Sequence, residues 1–187
     1  MAETVDVLVI GAGPAGSTIA RLLASQDYSV LLLKGPPPRE PLAETLPPSM
    51  QAVLETAGIR RCINNAGFYP DRGNTTWWGA EPRIENYPGD ARAWHVERRH
   101  LDGLLLSLAE NAGAIVRRNN RAPRVALEVG TVEHDAGVSS ARFVIDASGR
   151  PGLLARSSAT GIRVIGRSPC VESSGRASRG MPIRTTR

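Results

Sequence analysis

The stretch Val5-Asp6-Val7-Leu8-Val9-Ile10-Gly11-Ala12-Gly13-Pro14-Ala15-Gly16 decides the fold of this 187-residue chain. Its first half is an apolar, β-branched run of the kind that forms a strand buried on both faces. The second half is a glycine pattern, after which apolar residues recur at helical spacing, at Ala15, Ile19, Leu22 and Leu23. Residues 28–33 then read as a second buried strand. Strand, glycine turn, helix and strand within about 30 residues are typical of a unit that binds a dinucleotide.

Each residue type in the glycine turn has a physical reason to be there. Gly11 permits a tight turn out of the strand, Gly13 lets a pyrophosphate approach the backbone, and Gly16 lets the helix pack closely on the sheet. Pro14 and Ala15 begin the helix, where free N–H groups and the positive end of the helix dipole attract phosphates and the missing N–H of proline costs little. We therefore predict a pyrophosphate site at these five residues. The alternative is a glycine-rich turn that holds no ligand.

Lys34 departs from the usual pattern at the end of the second strand. An acidic residue about 20 residues beyond the glycines commonly accepts a hydrogen bond from a ribose hydroxyl. A lysine ammonium only donates, so it can bond a ribose oxygen or attract a phosphate instead. Lys34 is therefore either a contact to the ribose or a phosphate, or a solvated strand end.

The composition is that of an ordinary globular chain, with 41% hydrophobic residues. No apolar run approaches the ~18 residues of a transmembrane helix. No basic segment precedes the first apolar run, so we expect no signal peptide. Cys62 and Cys170 lie far apart and show no metal-binding or CxxC spacing. The expectation is a cytoplasmic protein with free thiols and no metal site.

The formal net charge of +5 is unevenly distributed. Residues 1–150 contain 16 basic and 17 acidic residues, whereas residues 151–187 contain seven arginines and one acid. The first part therefore lacks the basic face that nucleic-acid binding requires, and we expect no nucleic-acid partner. Residues 156–187 are rich in Arg, Ser, Gly and Pro with few large apolar side chains, which predicts disorder.

The middle of the chain predicts further helices and strands. Residues 35–43 are proline-rich, which excludes a helix or a central strand. A helix is predicted after a cap at Thr45 or Ser49 and before Gly58, with an apolar face at Met50, Val53, Leu54 and Ala57. A longer helix begins at Arg98, with an apolar face at Leu101, Leu104, Leu105, Leu108 and Ala112.

Further strands are predicted after the helix that begins at Arg98 and within residues 59–94. Residues 114–116 and 142–147 each read as a strand, and residues 125–127 and 131–133 are expected to pair as a hairpin. Residues 59–94 show no clear period but are too long for a structureless loop, so short strands are expected there. Three tryptophans fall in this segment and either stack on a planar heterocycle or fill a small core. For Trp77 or Trp78 we favour the core, because adjacent strand residues face opposite ways.

Four segments match one known family in order and spacing over residues 5–155. They are DVLVIGAGPAG at 6–16, ETLPP at 44–48, WHVER followed by LD at 94–102, and DASGR at 146–150. Together they resemble the FAD-dependent oxidoreductases of the para-hydroxybenzoate hydroxylase type, nearest to the halogenase-like and geranylgeranyl-reductase-like branch. The resemblance implies an α/β fold, a Rossmann-type FAD-binding domain with three layers and a mostly parallel sheet that includes an antiparallel hairpin.

The resemblance also implies roles for individual residues. FAD is the implied cofactor, with its pyrophosphate on the glycine turn and its ribityl-phosphate side near Arg98, whose guanidinium suits bidentate contact with a phosphate. The alternative for Arg98 is a surface arginine at a helix start. Asp146 and Gly149 are expected beside the adenosine half, although Asp146 could instead bond the backbone of its own turn. Glu44 is expected to line the approach to the isoalloxazine ring, or else to be a helix-start charge favoured by the dipole.

The chain also departs from this family. The Gly-Asp segment that binds the flavin ribityl chain, the sheet that covers the substrate and the halogenase Trp-x-Trp-x-Ile-Pro motif have no counterpart. The resemblance ends near Arg156, so the expectation is a truncated member, with an incomplete FAD-binding domain at residues 1–155 and a basic tail at 156–187. His95 and His100 are weak catalytic candidates, and we name no catalytic acid or base.

The expected function is that of an FAD-dependent oxidoreductase domain of the monooxygenase, halogenase or reductase type. The expected partners are a small organic substrate and, as electron source, NAD(P)H or a flavin reductase. The alternatives are a non-catalytic remnant of a flavoenzyme and an NAD(P)-dependent dehydrogenase, since the glycine signature is shared. The sequence leaves open whether this chain is itself an enzyme.

Overall fold

The computed structural model describes residues 3–36, 43–79, 81–122, 124–126, 130–150 and 152–154. The helices in this part of the chain are Pro14–Ala24 (α1), Met50–Thr56 (α2), Arg60–Asn64 (α3) and Arg98–Asn111 (α4). The strands are Glu3–Ile10 (β1), Val30–Leu33 (β2), Ala43–Leu46 (β3), Tyr69–Asp71 (β4), Gly73–Trp77 (β5), Pro82–Asn86 (β6), Ala93–Glu97 (β7), Ile115–Arg117 (β8), Arg124–Ala126 (β9), Thr131–His134 (β10) and Gly137–Asp146 (β11).

The main sheet has the strand order β8-β2-β1-β11-β10-β9. Strand β1 pairs in parallel with β2 and β11, and β2 pairs in parallel with β8, whereas β9, β10 and β11 are antiparallel neighbours. The predicted α/β class, with a mostly parallel sheet and an antiparallel hairpin, is confirmed. Ile10 pairs with both Leu33 and Asp146, so the glycine turn leaves β1 between the carboxyl ends of β2 and β11. Open α/β sheets bind ligands at this edge.

Helices α1 and α4 cover one face of the main sheet. They share a core with Val7, Val9, Val30 and Leu32. The predicted helix α1 is confirmed, and its most buried residues are the small ones, Gly16, Ser17, Ala20 and Ala24. Small side chains let a helix axis approach the sheet closely, which brings the start of α1 against the ends of the strands. The opposite face of β1 and β2 packs Leu8, Ile10, Leu31 and Leu33 into a second cluster.

A smaller antiparallel sheet has the order β3-β7-β4. Its core residues lie against α2, α3 and α4 and include Leu54, Ile59, Ile63, Phe68, Trp94, Val96, Leu101 and Leu105. Strands β5 and β6 pair with each other as a separate hairpin. The prediction of short strands within residues 59–94 is therefore confirmed, and Trp94 belongs to this core.

Some sequence expectations were wrong in detail. Trp77 and Trp78 fill no core, because their exposed fractions are 69% and 87%. They lie at the end of the β5–β6 hairpin, whose strand β6 is exposed at every position. Thr45 does not cap α2 but lies in β3, and Ser49 occupies the N-cap position without a side-chain hydrogen bond. Gly58 follows α2 with positive φ, as predicted for a helix C-terminus, and Gly113 does the same after α4.

Other expectations concern residues outside the described part of the chain. These are most of the proline-rich segment, the hairpin tip at 127–129, Cys170 and the tail at 156–187. Cys62 is a free thiol. None of the described helices is long and apolar enough to cross a membrane.

Candidate cofactor site

Gly11 joins the turns that follow β1 and β11. Its N–H donates to the Leu33 carbonyl at 2.9 Å, and its φ of +104° lies in a region that favours glycine. A Cβ on Gly11 would overlap the carbonyl oxygen of Ala147 and lie 2.9 Å from the Cα of Ser148. Gly11 therefore allows the backbone after β11 to approach the glycine turn, in addition to the tight turn that was predicted.

Gly16 allows the first turn of α1 to lie against Gly11. A Cβ on Gly16 would overlap the Gly11 carbonyl oxygen and come within 3.1 Å of the Ala147 Cβ. The close packing expected of Gly16 is thus packing of the helix on the turn. The buried Ser17 hydroxyl adds a hydrogen bond to the Ala12 carbonyl at 3.3 Å, which ties the helix to the same turn.

Gly13 differs from the other two glycines because space lies beside it. It is the N-cap of α1 with φ −80° and ψ −171°, which any residue adopts. The nearest atom to a Cβ at this position would be Arg98 Nη2, at 3.9 Å. The Ser17 N–H donates to the Gly13 carbonyl, so the N–H groups of Ala15 and Gly16 precede the first helical hydrogen bond. Open space, unpaired N–H groups and a guanidinium thus meet at one place, which is a donor set for an anion.

Arg98 is the first residue of α4 and lies between two carboxylates. Its Nη1 donates to Glu44 Oε1 at 2.6 Å, and its Nε and Nη2 donate to Asp102 at 3.3–3.4 Å. These two carboxylates raise the pKa of the guanidinium above its usual value although burial opposes them. The interpretation of Arg98 as a plain surface arginine does not fit, because its side chain is only 24% exposed and faces the glycine turn.

Asp102 bonds Arg98, although the sequence suggested no role for it. Burial raises the pKa of its carboxyl above the usual value, while the positive charges of Arg98 and Lys34 act in the opposite direction. The sequence signal was the four-residue spacing of Arg98 and Asp102, which places both side chains on one face of a helix. The charge of Lys34 thus acts on the network formed by Arg98, Asp102 and Glu44.

Lys34 lies at the carboxyl end of β2, as expected. Its backbone N–H donates to the Arg117 carbonyl at 2.9 Å and its carbonyl accepts from the Asn120 N–H at 2.8 Å. These bonds hold the ends of β2 and β8 together. The side chain of Lys34 is half-buried, so it is not a fully solvated strand end.

Asp146 and Gly149 form the turn after β11. Asp146 accepts the Ser148 N–H at 2.9 Å and the Leu154 N–H at 2.8 Å, which is the bonding to its own turn that the sequence left as an alternative. Gly149 has a φ of +75°, and a Cβ there would meet no atom within 4 Å. The turn lies next to Gly11 through Ala147, so it borders the glycine turn.

Glu44 and the two histidines lie on the smaller sheet and its neighbour α4. Glu44 is in β3 and bonds Arg98, so it is not a helix-start charge. His95 Nδ1 lies 3.0 Å from Thr45 Oγ1, and its Nε2 lies 3.1 Å from Asp71 Oδ2. The His100 ring packs on Phe68 with 4.9 Å between ring centroids. Neither histidine bonds the glycine turn or Arg98.

The fold and the glycine turn define a dinucleotide-binding Rossmann-type protein. The chain belongs to the FAD binding domain family, whose profile matches residues 4–168. FAD is therefore the cofactor that the family identifies, and the donors around Gly13 fit its pyrophosphate. The match extends past residue 155, and the domain boundary expected there stays a prediction.

Several of the similar proteins are flavin-dependent halogenases. A flavin-dependent halogenase of Armillaria mellea is 31% identical, over 80% of this chain and 32% of that protein. A tryptophan 2-halogenase of Chondromyces crocatus is also 31% identical, over 82% of this chain and 32% of that protein. The solved structure of the myxobacterial chondrochloren halogenase has a TM-score of 0.69 and 33% identity, over 79% of this chain and 38% of that chain. The chain spans about a third of the length of the curated relatives.

Proposed function

We propose that this chain holds the pyrophosphate of FAD between the glycine turn and Arg98. The observation that carries the proposal is the space beside Gly13, where a Cβ would meet only Arg98 Nη2, at 3.9 Å. The N–H groups of Ala15 and Gly16 donate to one side of the pyrophosphate. Pro14 begins the helix, where its missing N–H costs little. The guanidinium donates from the other side, where its fork suits phosphate oxygens.

The other residues predicted from the sequence lie around the pyrophosphate in this proposal. Lys34 donates at the ribose end in place of the usual acceptor, since an ammonium has no acceptor atom. Gly149 and Asp146 border the adenosine half, with Asp146 acting through the backbone turn that it holds. Glu44 lies on the flavin side, where β3 reaches the site.

The whole protein to which this domain contributes is proposed to be an FAD-dependent oxidoreductase of the monooxygenase, halogenase or reductase type. FAD supplies the redox chemistry when bound, and the chain binds it, orients it and excludes water. The substrate class is a small organic molecule, and the electron source is NAD(P)H or a flavin reductase. Halogenase relatives at 31% identity support the halogenase type. We propose a cytoplasmic location, which suits a nicotinamide or flavin electron source.

The test is FAD binding by the purified chain, followed by the flavin absorption spectrum after desalting and by fluorescence titration. Gly13→Val is the variant to compare, because the valine fills the space beside Arg98 in a backbone conformation that it tolerates. We expect the wild-type chain to retain FAD and Gly13→Val to bind it at least about tenfold more weakly, a loss of ~1.4 kcal/mol.

The control is Gly103→Ala in α4, where a Cβ meets no atom within 4 Å. It should leave FAD binding unchanged. A folded wild-type chain that takes up no FAD would overturn the proposed function for this chain. Equal binding by wild type and Gly13→Val would overturn the assigned site.

A further inference from the structure

The guanidinium of Arg98 is shared between two carboxylates that come from different elements. Asp102 lies one turn further along α4 and accepts hydrogen bonds from Nε and Nη2. Glu44 lies in β3 and accepts a hydrogen bond from Nη1. Within the described residues, Nε and Nη1 each make one hydrogen bond, and Nη2 makes two, to both oxygens of Asp102. An arginine carries two N–H groups on Nη1, so one stays beside the bond to Glu44, and Nη2 is the atom that lies nearest to the space beside Gly13.

The two carboxylates hold Arg98 in different ways. Asp102 is 24% exposed and engages one edge of the guanidinium with both oxygens, from a helix that also carries Arg98. Glu44 is 42% exposed and makes a single short contact from the smaller sheet. An edge held at two nitrogens within one rigid helix fixes the plane of the guanidinium. A single bond to Nη1 occupies a donor without fixing that plane.

We propose that Asp102 is a positioning residue of the cofactor site, which holds Arg98 so that the Nη2 side of its guanidinium faces the pyrophosphate across Gly13. Glu44 acts in the opposite sense, because its carboxylate occupies an Nη1 donor and places a negative charge beside the pyrophosphate. This inference rests on the proposed function, since it concerns the same FAD site.

The two carboxylates give a test that separates positioning from charge. If only charge mattered, neutralising either one would favour binding of the anionic pyrophosphate. If Asp102 positions Arg98, Asp102→Asn weakens FAD binding even though a negative charge is lost, because an amide offers one acceptor and presents donors to the guanidinium. Glu44→Gln then tightens binding, because it releases Nη1 and removes the competing charge. Positioning by Asp102 therefore predicts that Asp102→Asn and Glu44→Gln change FAD affinity in opposite directions.

The experiment measures the FAD dissociation constant by fluorescence titration for the wild-type chain, Asp102→Asn, Glu44→Gln, Arg98→Ala and the Asp102→Asn/Arg98→Ala pair. We expect Asp102→Asn to bind about three- to tenfold more weakly, the cost of ordering one long side chain on binding. Glu44→Gln should bind more tightly by about threefold. With Arg98 already replaced, Asp102→Asn should change binding by less than about twofold, because the residue through which it acts is gone.

A matched control is present on the same helix. Glu110 pairs with Arg118 at 2.7 Å near the other end of α4, so Glu110→Gln removes an arginine-bound carboxylate away from the glycine turn. It should leave FAD affinity unchanged. Circular dichroism checks that each variant is folded, and Asp102→Ser, which removes the carboxylate with a smaller side chain, provides a second variant with the same expected loss.

The pH dependence of binding provides a readout that a purely structural role would not move. Burial raises the pKa of Asp102, and the charged groups that face it are Arg98, Lys34 and Glu44. Among the described residues, the Glu44→Gln background leaves Asp102 as the one carboxylate bonded to Arg98. FAD affinity should fall as the pH is lowered towards the raised pKa of Asp102, because the protonated Asp102 releases the guanidinium. The Glu44→Gln/Asp102→Asn pair should lose this dependence.

The outcomes distinguish this inference from the proposed function. A folded wild-type chain without FAD binding would remove both. FAD binding that weakens in Arg98→Ala, with Asp102→Asn equal to or tighter than wild type, would overturn only the positioning role. A loss in Asp102→Asn that persists unchanged in the Arg98→Ala background would also overturn it, because Asp102 would then act without Arg98.

Discussion

Gly16→Ala should destabilise the fold, although alanine is the better helix former. The new Cβ would overlap the Gly11 carbonyl oxygen and lie 2.9 Å from the Gly11 carbonyl carbon. Both atoms are backbone, so no rotamer change relieves the contact. Overpacking of this kind costs about 3 kcal/mol or more, and helix propensity returns about 1 kcal/mol, which leaves a net loss of about 2 kcal/mol.

The assay is urea unfolding of the apo chain followed by circular dichroism, with Gly103→Ala and Gly13→Val as comparisons. Gly103→Ala is the same substitution at a helical position where the Cβ meets no atom within 4 Å, and it should raise the free energy of unfolding by up to about 1 kcal/mol. Gly13→Val should lose about 1 kcal/mol, less than Gly16→Ala, because valine is a poorer N-cap residue than glycine but its Cβ would overlap no backbone atom. A Gly16→Ala variant as stable as wild type would refute the close contact between α1 and Gly11.

Three further predictions follow from buried or bonded side chains. Asp146→Asn should lower the free energy of unfolding in urea by about 1.5–3 kcal/mol, because the amide oxygen keeps only one of the two bonds from backbone N–H groups at 2.8 and 2.9 Å. Weaker FAD binding at unchanged stability would contradict this role. Trp94→Ala should cost about 3–5 kcal/mol and Trp78→Ala less than about 0.5 kcal/mol in thermal unfolding, and similar melting temperatures for the two would contradict their difference in burial. Burial lowers the pKa of His134 below 6.5; the charge of Arg117 adds to this shift, and the charges of Glu3 and Asp135 oppose it. The unfolded chain therefore takes up the proton first as the pH falls. The free energy of unfolding should decrease as the pH drops below about 6.5. His134→Gln should remove that part of the pH dependence, and an unchanged profile would show that His134 is not its source.

The glycine turn could be predicted from the sequence because its constraints are local. The spacing of Gly11, Gly13 and Gly16 follows from one turn and one helix start, and both are set by residues within a single short segment. The partner of Gly11 was not predictable in the same way. Ala147 approaches it only because β11 pairs with β1 over more than 130 residues of sequence separation.

The environment of Arg98 required the tertiary structure for the same reason. Asp102 was within reach of sequence reasoning, because the four-residue spacing on a helix is itself a signal. Glu44 was not, since its contact depends on the antiparallel pairing of β3 with β7. Trp77 and Trp78 show the converse case, where the pattern favours burial but both side chains are exposed at the end of their hairpin.

Helix α4 explains why the candidate cofactor site depends on both sheets. Its first residue, Arg98, follows directly from the last residue of β7, so the smaller sheet fixes where the helix starts. Further along, Leu101 and Leu105 pack into the core of the smaller sheet, while Leu106 and Ala109 pack against the main sheet. The guanidinium is thus positioned by one core, and the glycine turn that it faces is positioned by the other. The distance between Arg98 and Gly13 therefore depends on how α4 packs between the two cores, and Asp102, one turn along that helix, is placed to set the final orientation of the guanidinium.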